Sequence, residues 1–103
     1  MRILVSGGSP PVRVAEPDDF GRLHVELADI DTAGASAVLT DAGLGRIDES
    51  GHAWLDIRSL RAFTEPPAAP RGWAGSWTAM IDYARAKGWV TGGAVRVHVV
   101  DDG

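Results

Sequence analysis

Two stretches of strict apolar–polar alternation, Arg22–Ala28 and Ala94–Val100, constrain the fold of this chain more than any other feature. In the first, Leu23, Val25 and Leu27 alternate with Arg22, His24 and Glu26; in the second, Val95, Val97 and Val99 alternate with Arg96 and His98. A period of two sends successive side chains to opposite faces of a pleated strand, so each stretch reads as a strand with one apolar and one polar face. Arg2–Ser6 and Val12–Val14 repeat the pattern on either side of Gly7-Gly8-Ser9-Pro10, which is turn chemistry, and form a hairpin. Arg46–Asp48 and His52–Leu55 form a second, shorter hairpin around Glu49-Ser50-Gly51.

Three segments switch to the helical period. From Thr32 to Ala42, residues Ala35, Val38, Leu39 and Ala42 make an i, i+3, i+4, i+7 stripe, with Asp31 placed to accept the orphan N–H groups of the first turn. Gly43 suits the left-handed residue after the helix, and Leu44 can then fold back on Leu39. Asp56 caps a short second helix whose Ile57 and Leu60 point inward. A third helix runs from Trp73 to about Lys87, with Trp73, Trp77, Met80, Ile81 and Ala84 on one face and Gly88 as its stop. Pro66, Pro67 and Pro70 break any helix between the second and the third.

Apolar helix stripes need an apolar surface, and the only one available is the sheet face formed by Ile3, Val5, Val12, Val14, Leu23, Val25, Leu27, Val95, Val97 and Val99. The expected fold is therefore α+β: a two-layer sandwich of a mostly antiparallel sheet of about four strands plus a short hairpin, with three helices on one face. At 103 residues, a single domain spanning 1–103 is expected, because a second would be too small to bury its own core. Asp101-Asp102 reads as a tail.

Composition narrows function by exclusion. The chain has no cysteine, which rules out disulfides, thiolate catalysis and cysteine-based zinc sites. No apolar run approaches the ~20 residues of a membrane span and no signal-like segment is visible, so a cytoplasmic protein without membrane contact is expected. The formal net charge of −4 argues against general nucleic-acid binding. From Glu16 to Asp56, ten acids face only Arg22 and Arg46. That half is either a solvated acidic surface or a dock for a basic partner.

The polar sheet face collects Arg2, Arg13, Arg22, His24, Glu26, Arg96 and His98. On an acidic protein this is either a solvated face with cross-strand pairs or an anion-binding or self-association surface, because the guanidinium forks onto carboxylate and phosphate. His24 and Glu26 with His98 could hold a metal only if their strands were neighbours, and no metal site or cofactor is assigned. His52 reads as a hairpin residue beside Trp54. Trp54, Trp73 and Trp77 either fill the core or line a pocket. Asp18-Asp19, Asp29 with Asp31, and Asp48-Glu49 all fall in turns or caps, where Asp serves local N–H groups. No nucleophile–base spacing is present.

Gly43-Leu44-Gly45-Arg46, His52-Ala53-Trp54-Leu55-Asp56 and Tyr83-Ala84-Arg85-Ala86-Lys87-Gly88-Trp89-Val90 resemble small proteins of high-GC actinobacteria, and the resemblance covers most of the chain. Nine arginines to one lysine fit that kind of genome. Those proteins have no assigned activity, so the resemblance implies no functional residue. The expectation is a non-enzymatic binding or protein-interaction module that self-associates or takes a protein partner. The alternative is a small enzyme or anionic-ligand-binding protein that uses the Arg/His face or a tryptophan-lined pocket.

Overall fold

The structure, a computed structural model, describes residues 1–101. In chain order the elements are β1 (Arg2–Ser6), β2 (Val12–Ala15), β3 (His24–Ala28), α1 (Thr32–Asp41), β4 (Gly45–Ile47), β5 (Ala53–Asp56), α2 (Ile57–Thr64), α3 (Trp73–Ala86), β6 (Val90–Thr91) and β7 (Ala94–Asp101). Asp101 thus closes the last strand, and Asp102 lies outside the described residues.

The fold is α+β with three helices, but the sheet is not the mostly antiparallel one of about four strands that alternation leads one to expect. It has seven strands in the order β2-β1-β3-β7-β5-β4, with β6 paired to β7 beside this path, and it curls into a half barrel. At its centre β1 pairs parallel with β3, and β3 parallel with β7; the remaining pairings are antiparallel. The cause is the first hairpin. β2 returns the chain to Ala15, opposite Arg2, so the next strand starts at the same end of the sheet as β1 and runs with it. Glu16, at a left-handed φ of 54°, turns the chain into the crossover, and His24 lands beside Arg2. Buried Trp73 holds that crossover to α3: its indole N–H donates to the Pro17 carbonyl at 3.1 Å, and the Phe20 ring meets it edge-on at 5.6 Å.

Staggered pairing explains the curl. Residues 94–97 of β7 pair with β5 on one edge, whereas residues 98–101 pair with β3 on the other. Strands offset in this way, each carrying the usual twist, wrap rather than lie flat. The helices fill the apolar side: α1 packs on β1 and β4, α2 on β5, and α3 on β7. Ile3, Val5, Val25, Leu27, Leu39, Leu55 and Leu60 are fully buried there.

Local chemistry sets the boundaries. The Asp31 carboxylate accepts from the Gly34 N–H at 2.7 Å, and that of Asp56 accepts from Ser59 N–H at 2.9 Å. α1 ends with Gly43 at φ 72°, Gly43 N–H bonded to Thr40 and Leu44 N–H to Leu39. α3 ends the same way through Gly88, with Trp89 N–H bonded to Ala84. Both are Schellman stops. The edge strand β4 is sealed by α1: Ile47 N–H donates to Ser36 Oγ at 2.9 Å, and Thr40 Oγ1 donates to the Gly45 carbonyl at 3.0 Å. Covering an edge in this way removes a template for aggregation.

Gly45 allows β4 to lie close against β5. A Cβ there would stand 1.9 Å from the Trp54 carbonyl oxygen, whereas a Cβ at Gly75 on the outer side of α3 meets nothing within 4 Å. In denaturant titrations Gly45→Ala is expected to cost about 3 kcal/mol or more, because backbone must move. Gly75→Ala should be neutral or stabilising by up to ~1 kcal/mol.

Candidate functional site

β3 and β6 share one edge of β7, and a cleft of about 690 Å³ opens where they meet it. Met80, Ile81 and Ala84 of α3 and Val95 and Val97 of β7 give it an apolar floor. Phe20 and Leu23 of the crossover close one side. Trp89, edge-on to Tyr83 at 6.0 Å, stands on the other. The basic residues of the lining are Arg22, Arg96, His24, His52 and His98, with no aspartate or glutamate, although the chain carries fourteen acids against ten lysines and arginines.

Register explains why these residues converge. His24 of β3 pairs directly with His98 of β7. Ala53 pairs with Val97, which carries His52 to the other side of His98, and the two rings lie 5.6 Å apart. All three histidines of the chain therefore stand in one row, on β3, on β7 and just before β5. Two residues from His98 along β7, and so on the same face, Arg96 pairs with Trp54, and its backbone N–H donates to the Trp89 carbonyl at 2.7 Å.

His24 is fixed from both ends. Its Nδ1 lies 2.7 Å from the Arg22 carbonyl and its Nε2 2.9 Å from Glu26 Oε1. Both partners are acceptors, so both contacts are hydrogen bonds only in a doubly protonated ring. The bond from His24 is the main reason the Glu26 carboxyl sits below its usual range, and the Arg2 cation lowers it further, against partial burial that raises it. Arg2 reaches Glu16 at 3.0 Å and Glu26 at 3.4 Å, while its buried Nε finds no partner. Arg2 is thus engaged in holding the crossover and does not line the cleft.

The remaining sequence candidates lie elsewhere. Arg13 is exposed on the outer strand β2, opposite Leu4 and away from the cleft. Trp73 and Trp77 are buried and stacked at 5.7 Å, 13° from parallel, so they fill the core rather than line a pocket. Trp54 stands on the open sheet face, half-buried, beside a shallow hollow shared with Arg46 and Asp56. Its indole N–H donates to Asp48 Oδ2 at 2.7 Å. The Asp48 carboxyl is held far below the usual carboxylate range, first by the Ser50 hydroxyl and then by that indole. No group of three His, Asp or Glu among the described residues is placed to hold a metal ion.

The cleft residues that sequence reasoning missed are His52 and Trp89. His52 reads as a hairpin residue until its strand is known to neighbour β7. Trp89 reads only as the residue that folds back after α3, because a two-residue strand such as β6 leaves no periodic signal. Comparison with known proteins finds no match: no family model, no curated protein and no solved structure.

Glu26 generates a pH prediction. Its folded-state value lies below the unfolded one, so its contribution to stability is present above the ordinary carboxylate range and is lost as the pH falls through the folded value. Glu26→Gln should lower the melting temperature by a few degrees at pH ~7. Melting curves of the two proteins should converge at strongly acid pH, where wild-type Glu26 is also neutral.

Proposed function

We propose that this protein is a non-enzymatic binding module whose cleft takes a small organic anion with an apolar or aromatic body. A single observation carries the reading: on an acidic chain, a cleft with an apolar floor is rimmed by two arginines and three imidazoles and no acid. Its volume falls within the usual range for small-ligand sites, ~300–1,000 Å³. Arg22 is exposed and Arg96 half-buried, and neither makes a side-chain ion pair among the described residues, so both cations are available to a carboxylate, sulfonate or phosphate. Arginine suits this task because its planar fork matches such groups two atoms at a time. Met80, Ile81 and the Trp89 ring would bury the ligand's apolar part. No helix among the described residues is long and apolar enough to cross a membrane. Small organic anions of the cytoplasm are the natural pool for such a site.

A protein partner is the second reading, favoured by Tyr83 and Val100, two exposed apolar residues in the lining. Docking there would put an acidic side chain of the partner, or of a second copy, against Arg22 and Arg96.

Titration with 3-phenylpropanoate, followed by tryptophan fluorescence, separates the two. Saturable binding that weakens with salt is expected, with Arg96→Ala about tenfold weaker. Arg13→Ala, outside the cleft, should bind as wild type. Light scattering should show the same mass with and without ligand. Absence of saturation by aryl carboxylates, sulfonates and phosphates would sink the reading. A dimer that dissociates with salt and loses its contacts on Arg22→Glu would establish the protein-partner reading instead.

A further inference from the structure

The second hairpin carries a hydrogen-bond relay that ends in the cleft. Ser50 Oγ lies 2.6 Å from Asp48 Oδ1 and 2.9 Å from His52 Nδ1. An ionised carboxylate can only accept, so the single Ser50 hydroxyl hydrogen goes to Asp48. The Ser50 oxygen must then accept, and the hydrogen it accepts is on His52 Nδ1. The relay has this one polarity for as long as Asp48 is ionised. Asp48 is further pinned by the Trp54 indole on Oδ2, and by the Ser50 and His52 N–H groups on Oδ1 at 2.9 and 3.1 Å. The His52 ring is thus fixed in tautomer as well as in place.

In a neutral ring with hydrogen on Nδ1, Nε2 carries a lone pair. The Nδ1 edge of His52 is turned to the hairpin, and the ring lines the cleft with His98 5.6 Å away. No other hydrogen bond to the His52 ring is made among the described residues. The cleft therefore combines two arginine donors, which ask for an anion, with one fixed acceptor, which asks for a hydrogen.

We infer that the ligand carries a hydrogen-bond donor beside its anionic group, and that His52 Nε2 selects it: the chemical class is a hydroxy acid with an apolar or aromatic body. This rests on the anion-binding reading above and adds a specificity that reading does not contain. A site holding a fixed polar group discriminates against an analogue that leaves the group unpaired, more strongly than an apolar wall discriminates by size. His52 is a recognition residue here, and Asp48 and Ser50 are positioning residues that act through it.

The test pairs two probes of the same charge and body, 3-phenyllactate and 3-phenylpropanoate, at pH ~8, above the ordinary imidazole range. The wild type should bind the hydroxy acid about tenfold more tightly. His52→Ala should bring the ratio close to one. A structural readout stands beside it: side-chain 15N spectra of the wild type should show His52 with hydrogen on Nδ1, and Ser50→Ala should release it toward the Nε2–H form that free imidazole favours. Equal affinity of the two probes for the wild type, or a His52 ring with hydrogen on Nε2, overturns the inference and leaves anion binding standing. Failure of both probes to bind would remove the anion-binding reading as well.

Discussion

The staggered engagement of β7 is the constraint on which the rest of the structure depends. Its first half is held by β5 on one edge and its second half by β3 on the other. Backbone hydrogen bonding must be satisfied along both, so the sheet shears and curls. The same stagger leaves the β3 edge of the first half to the two-residue β6, and the cleft lies between these two neighbours. α3 closes the cleft from below because its apolar stripe has no other sheet surface to cover. Curl, cleft and floor thus share one cause.

Two carboxylate-centred sets on the polar side of the sheet hold the fold, and each ends in an imidazole of the cleft lining. Arg2, Glu16, Glu26 and His24 form a connected set that ties the crossover to β1 and β3. Asp48, Ser50, His52 and Trp54 do the same for the second hairpin. In both sets the carboxylate stands behind an imidazole and orients it. That arrangement keeps acids out of the cleft lining while using them to support it, and so an acidic chain carries a cleft lined by basic side chains alone among its charged groups.

Much of this architecture was legible locally. The caps at Asp31 and Asp56, the stops at Gly43 and Gly88, both hairpins and the apolar face of every long strand follow from interactions within a few residues, which composition and spacing report directly. β6 escaped because two residues cannot show a period. The parallel centre escaped because alternation is the same in parallel and antiparallel strands. Trp73 and Trp77 illustrate the same limit. Their helical spacing put them on one face, but only the packing of α3 against the crossover showed that face to be core.

The sequence by itself determined which side chains share a face, where helices begin and end, and that Arg22, His24, Arg96 and His98 lie on the polar side of their strands. Those facts depend on backbone geometry, which repeats every two or 3.6 residues regardless of what lies alongside. Only the tertiary structure decided which strands are neighbours. It thereby brought His52 into line with His24 and His98, engaged Arg2 with glutamates, and left Arg13 outside the cleft. Strand order is set by which pairings satisfy every edge while burying the whole apolar surface, and no short stretch of sequence contains that balance.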